Sequence, residues 1–207
     1  MNGKIRVTVW NEFRDEQRWP SILEMYPGGV HGEIGRMLAD CEDMEVRLAT
    51  FYDEEQGLSR EILDNTDVLL YYSHMLQTQV EKERVDAIIE CVHQGMGLIL
   101  LHSALGSDLC KRLLGFQWKV PWREAEEKER VFVIEPSHPI CDGLGEFFEF
   151  PESEMYGEPA QVPRPDETVF LSWYSGGNAS RSGFTYSRGA GRIFCFTPGH
   201  AWYNVLK

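Results

Sequence analysis

The sequence predicts an α/β protein built on a doubly wound, mostly parallel sheet, followed by an elaborated, loop-rich second half. Three observations carry this. Short apolar runs alternate with helical stripes through residues 4–114, the pattern of consecutive strand–helix–strand units. The joins between them are short, so successive strands lie side by side and parallel. After Gly115 the texture changes, with Pro121, Pro136, Pro139, Pro151, Pro159, Pro163 and Pro165 punctuating residues 116–168.

Residues 4–10 (KIRVTVW) alternate and are rich in β-branched side chains, a first strand. Residues 28–40 put Ile34, Met37 and Leu38 on one helical stripe. Residues 44–50 read as a second strand. Residues 67–72 (DVLLYY) hold a continuous apolar run, which suits a strand covered on both faces. Val85, Ile88, Ile89 and Val92 share a helix face over residues 80–94, with Glu81, Lys82, Glu83 and Arg84 on its solvated side. Residues 95–101 (GMGLILL) are the most apolar strand, expected near the sheet centre. A helix over 105–114 stops at Gly115 as its cap.

Residues 116–168 are expected to be loops, with one antiparallel strand at 130–134. Strands follow at 168–173, 183–188 and 192–197, the first two joined by a Gly176-Gly177 turn. A covering helix ordinarily follows such a last strand, and residues 201–207 are too short for a full one. No repeat or interdomain linker interrupts the chain, so residues 1–207 read as a single domain.

The net charge of −13 and pI near 4.9 repel phosphate backbones and anionic lipid headgroups, which excludes nucleic acid and membrane as expected partners. A small neutral ligand or a cation fits better. The five cysteines show no CxxC spacing, so neither a disulfide framework nor a cysteine zinc knuckle is expected. Cys41, Cys91, Cys110 and Cys195 read as small buried hydrophobes. The N-terminus does not resemble a signal peptide, and no apolar run reaches the ~20 residues that span a bilayer. A cytoplasmic location is the expectation. Self-association suits a small α/β domain of this kind.

Open parallel sheets bind ligands beyond the carboxyl ends of their strands. Asn11 and Glu12 follow the first strand there, Ser73-His74 the DVLLYY strand, His102-Ser103 the GMGLILL strand, and His200 the last strand. His31 starts the first helix, so four of the six histidines fall on one rim. Neutral imidazole ligates metals or carries protons near pH 7. Rim histidines and a carboxylate can meet around a divalent ion, zinc by preference. The ligand candidates are His31, His74, His102, His200 and Glu154, the last within a proline-bounded acidic loop at 152–158. His93, near a helix end, and His138, in a loop, read as structural.

The turn at His102-Ser103 also has the shape of a nucleophile elbow. Ser103 would attack, His200 would act as base, and Glu154 or Glu158 would orient it. Trp118, Trp122, Trp173 and Tyr174 offer aromatic faces to a sugar ring. Arg123 and Arg181 offer donors to hydroxyls or carboxylates, and Glu12 and Glu158 offer acceptors.

In order, VTVWNE (7–12), YPGGVHGEI (26–34), DVLLYYSH (67–74), GMGLILLHS (95–103), WRE (122–124), EMYGEP (154–159), SGGNASRSG (175–183) and FTPGH (196–200) resemble the ThuA-like trehalose-utilisation family. The resemblance runs nearly end to end, and EMYGEP and GMGLILLHS are its most specific parts. It implies a flavodoxin-like sheet similar to class I glutamine amidotransferases, with no nucleotide cofactor. It also implies a role in utilisation of trehalose, related disaccharides or keto-sugars. His102-Ser103 stands where those enzymes carry their nucleophilic cysteine, so glutaminase chemistry is not expected. His200 occupies a position like that of their catalytic histidine. Three features depart from the family: Ala104-Leu105 where a further histidine is common, and Asn178 and Ala201 where an acid is common.

The leading expectation is a metal-assisted, sugar-modifying enzyme. In it His102, Ser103, Glu154 and His200 are catalytic, and Glu12, Trp122, Arg123, Glu158 and Arg181 touch substrate. The alternatives are a non-catalytic sugar-binding or regulatory protein on the same scaffold, and a hydrolase acting through Ser103.

Overall fold

A computed structural model describes residues 3–116, 118–204 and 206. Its single sheet has the order β2-β1-β3-β4-β9-β8-β7-β5-β6, nine strands among the described residues. β1 (Ile5–Asn11), β2 (Met44–Thr50), β3 (Val68–Tyr72), β4 (Gly97–Leu101) and β9 (Gly191–Phe196) are mutually parallel. β8 (Ala179–Arg188), β7 (Glu167–Tyr174), β5 (Trp122–Val133) and β6 (Phe147–Tyr156) continue it antiparallel. The α/β class and the parallel first half therefore stand, and β4 lies between two parallel neighbours as its apolarity predicts.

The two faces of the parallel half follow the period-2 alternation of a strand. Trp10, Leu69, Tyr71, Leu98, Leu100, Ile193 and Cys195 pack against α4 (Arg60–Asp64), α5 (Lys82–Gln94) and α6 (Asp108–Leu114). Val7 and Val9 on the other face meet Ile22 of α2 (Pro20–Met25) and Val30 and Ile34 of α3 (Gly29–Leu38). Within the first core, Trp10 stacks on Tyr71 with ring centroids 4.3 Å apart. α6 is opened by Ser107, whose hydroxyl accepts the Cys110 N–H, and closed by Gly115 at φ 79°. All five cysteines are free, with Cys41 half-buried and the others buried. No helix among the described residues is long and apolar enough to cross a membrane.

Residues 116–168 correct the sequence reading. They hold two long strands, twelve-residue β5 and ten-residue β6, and Glu154 lies on β6 rather than in a loop. The prolines misled because they fall where strands tolerate them. Pro121 precedes β5, Pro136 and Pro139 lie in the connection, and Pro159, Pro163 and Pro165 lie beyond β6. Pro151 sits inside β6, which is an edge strand paired only with β5. The apolar alternation that should betray β5 is also disguised, because Glu127 and Glu129 take two of its buried positions. The helix predicted over 105–114 divides into a 3-10 turn at His102–Gly106 and α6. α1 (Arg14–Arg18), α2 and α4 went unread. Of the residues beyond the last strand, Val205 and Lys207 lie outside those described.

Strand register places the site. Asn11 pairs with Tyr72, Tyr72 with Leu101, and Leu101 with Phe196. The residues that follow these four therefore emerge together at one edge.

A histidine–carboxylate centre in a tryptophan-lined cleft

Each of these four strands delivers a different group to that edge. After β1, Glu12 turns inward and is buried. It accepts the Ser73 hydroxyl at 2.7 Å, the Leu76 N–H at 2.9 Å and the Met75 N–H, so it braces the loop that carries His74. After β4, His102 takes φ 53°. This left-handed conformation costs a side-chain-bearing residue roughly 1–2 kcal/mol and persists only where the surroundings enforce it. After β9, a Pro-Gly step brings His200 back over the sheet.

The three histidines meet. Ring centroids of His74 and His200 are 4.8 Å apart, those of His102 and His200 5.1 Å, and those of His74 and His102 5.3 Å. Among the described residues, two groups offer ligand atoms within 4.8 Å of one another: His74, His102 and His200, and Glu124, Glu154 and His200. Glu154 Oε2 lies 3.6 Å from His102 Nε2 and is buried with no hydrogen-bond partner. Glu124 Oε1 lies 3.5 Å from His200 Nε2, and its other oxygen accepts the Tyr203 hydroxyl at 2.8 Å. An anionic oxygen left bare in a buried position is costly unless a cation or donor completes it.

Charge at the centre is unevenly shared. Burial drives the His102 imidazole well below its ordinary pKa, and positive charge on His200 and His74 would push it lower. Burial, then His74, brings His200 down to about 4. Burial also opposes charge on His74, but the hydrogen bond and charge of Asp15, with Glu12 and Glu154, outweigh it and raise its pKa. Burial, opposed by a hydrogen bond from Tyr156 and reinforced by Glu124, lifts Glu154 to about 7.

Above the centre opens a cleft of about 660 Å³, lined in part by Trp19, Trp118, Trp122, Trp202, Glu124 and Lys119, with His74, Ser103, Glu154 and His200 on its floor. Four aromatic faces around a polar floor match the mixture of apolar walls and few polar groups found in small-molecule sites.

The sequence candidates divide. His74, His102, His200, Glu154, Ser103 and Trp122 converge here. His31 does not join the cluster: its Nδ1 lies 3.3 Å from Asn11 Nδ2, and its ring meets Phe13 edge-on. Arg123 is held by Glu127, and Arg181 pairs with Glu158 at 2.7 Å. The Ser103 hydroxyl donates to the Ser73 carbonyl at 3.2 Å, and no hydrogen bond joins it to His200 among the described residues. His138 caps the 3-10 turn Pro139–Cys141 through the Ile140 N–H, the structural role expected of it.

Two members escaped the sequence reading. Asp15, buried in α1, lies 2.9 Å from His74 Nδ1. Glu124, in WRE, reads beside Arg123 only as a hydrogen-bonding group, not as a member of the histidine centre. A carboxylate in a short charged helix gives no pattern to find it by.

The family model for ThuA, trehalose utilisation, matches residues 6–207. The chain belongs to the ThuA family. Similar solved structures include a putative ThuA-like protein from Bacteroides uniformis, with TM-score 0.63 and 16% identity over 97% of this chain and 84% of that one. A second, from Parabacteroides merdae, has TM-score 0.65 and 13% identity over 95% and 80%. A β-galactosidase from Rahnella sp. R3 shares the fold over 99% of this chain but only 30% of its own, with TM-score 0.61 and 13% identity. No curated protein matches the ThuA chain in sequence.

Proposed function

We propose that this ThuA protein is a metal-assisted enzyme that modifies a sugar or keto-sugar. The observation that carries the reading is the meeting of His74, His102 and His200 beside the bare Glu154 oxygen, beneath a tryptophan-lined cleft. The donor set suits a borderline divalent ion such as zinc. Such an ion, when bound, polarises a carbonyl or activates water.

The chain's own residues supply the rest. Trp118, Trp122 and Trp202 offer apolar faces to a sugar ring, and Glu124 and Lys119 offer polar contacts to its hydroxyls. His200 holds or releases a proton at the reacting end. Glu12, Arg123, Glu158 and Arg181 are engaged with other residues of the chain, and the Ser103 hydroxyl with the Ser73 carbonyl. With a net charge of −13, a neutral saccharide suits the cleft better than an anionic ligand.

We also read the scaffold as flavodoxin-like and related to class I glutamine amidotransferases. The order β2-β1-β3-β4-β9 of its parallel strands supports this, as do helices on both faces. His102-Ser103 at the elbow leaves no cysteine there for glutaminase chemistry.

The test is elemental analysis of protein purified without chelator or nickel resin, beside a His74→Ala, His200→Ala double variant. Near-stoichiometric metal in the wild type, lost in the variant, supports the centre. Metal-free wild type that binds sugar without forming product would leave a sugar-binding protein instead.

A further inference from the structure

The three clustered histidines differ chemically, because each gives one ring nitrogen to a different kind of partner. His74 Nδ1 faces both oxygens of Asp15, at 2.9 and 3.2 Å. A carboxylate accepts, so in the neutral ring the proton sits on Nδ1 and Nε2 keeps its lone pair. His102 Nδ1 lies 3.3 Å from the Thr197 carbonyl, which can only accept, so its Nε2 is also a lone pair. That nitrogen faces Glu154 Oε2 at 3.6 Å and the Tyr156 hydroxyl at 3.4 Å.

His200 is reversed. The Trp202 backbone N–H donates to its Nδ1 at 3.2 Å, so in the neutral ring the proton lies on Nε2. Ligation through that Nε2 would force the proton onto Nδ1, facing another N–H. The first two rings instead follow the usual arrangement of metal-ligating histidines, whose far nitrogen donates to a carboxylate or a backbone carbonyl.

Resting on the metal-assisted reading, we propose that His74 Nε2, His102 Nε2 and a Glu154 oxygen hold the cation, and that His200 stays outside it as an N–H donor beside Glu124. Asp15 is then a positioning residue that fixes the His74 tautomer. Tetrahedral ligands about 2.1 Å from an ion stand roughly 3.4 Å apart, close to the His102–Glu154 separation of 3.6 Å. His74 and His102 offer ligand atoms within 4.8 Å of each other, and the His74 ring has to move toward Glu154 to complete the set. Two histidines and one carboxylate leave one tetrahedral position open, and a second when the ion expands to five ligands. The pair suits a ligand with two adjacent oxygens, a hydroxycarbonyl or a vicinal diol.

Cobalt(II) titration followed by its visible spectrum tests the division, with circular dichroism confirming that each variant is folded. His74→Ala and Glu154→Gln should lose nearly all affinity. Asp15→Asn should weaken it about 10–100-fold, while His200→Gln should stay within about threefold of wild type, there being no direct bond to lose. Ring ¹⁵N NMR of the metal-free wild type, recorded at a pH where His74 is neutral and needing no variant, should show Nδ1–H tautomers for His74 and His102 and an Nε2–H tautomer for His200.

An Nδ1–H tautomer at His200, or affinity lost in His200→Gln as fully as in His74→Ala, overturns the division while leaving a metal centre in place. Failure of the folded wild type to bind cobalt overturns both the division and the metal-assisted reading.

Discussion

Glu154 Oε2 lies 3.6 Å from His102 Nε2, both side chains are buried, and that oxygen has no hydrogen-bond partner. An unsatisfied buried polar atom costs about 1–3 kcal/mol. Glu154→Gln should therefore leave the metal-free protein as stable as wild type, or about 1 kcal/mol more stable. Urea denaturation in the presence of chelator measures this. A loss of more than about 1 kcal/mol would mean that the carboxylate is a structural group and not a ligand in waiting.

The cleft wall gives a second prediction. Trp122 is 61% exposed and lines the cleft, whereas Trp173, 43% exposed, lies on β7 outside it. An aromatic contact with a sugar ring is worth roughly 1 kcal/mol, or about fivefold in affinity. Trp122→Ala should weaken binding of a neutral disaccharide by about that factor. Trp173→Ala should leave it unchanged. Equal losses in isothermal titration would place the ligand elsewhere.

Glu129 makes stability depend on pH. It is fully buried on β5 and accepts the hydroxyls of Ser153 at 2.6 Å, Ser172 at 2.5 Å and Tyr174 at 3.0 Å. Burial raises its pKa, and those three hydrogen bonds only partly offset the effect. A carboxyl whose folded pKa is raised favours folding below its unfolded value and loses that contribution as pH rises through the folded value. The stability of wild type minus that of Glu129→Gln should accordingly fall as pH rises from the ordinary carboxyl value of 4.5. Denaturant midpoints of the two proteins across the acid range would show it. A difference that grew with pH would mean the hydrogen bonds win.

At Gly191, where β9 begins, an added Cβ would lie 2.2 Å from the carbonyl oxygen of Val92 in α5. That oxygen belongs to helix backbone and cannot step aside as a side chain would. Gly191→Ala should destabilise by about 1–3 kcal/mol, the range for overpacking. A melting temperature within a degree of wild type would show the β8–β9 turn to be adaptable.

The parallel half was legible in the sequence because its strands are covered on both faces and read as plain apolar runs. Val68–Tyr72 and Gly97–Leu101 are the clearest cases. Three of the site's histidines followed directly, since parallel strands deliver the residues after them to one rim. Of the antiparallel strands, β7, β8 and the 130–134 end of β5 were legible too, while the rest of β5 and all of β6 were hidden for a different reason. Inward positions on β5 belong to Glu127 and Glu129, and edge strand β6 carries Pro151, so apolarity and proline both pointed away from strand. Asp15 stayed invisible, and Glu124 went unread as a partner of His200, because a carboxylate gains its meaning only from the histidine it meets in space.

The division of the sheet has a consequence for how the cleft can diversify. His74, His102 and His200 hang from the parallel strands, while Trp122, Glu124, Glu154 and Tyr156 lie on β5 and β6 at the far antiparallel end of the chain's sheet. The reacting floor and much of the recognising wall thus belong to separate stretches of backbone. Insertions or exchanges along the edge hairpin can reshape what enters without moving a histidine, so one chemistry can be offered to a succession of different guests.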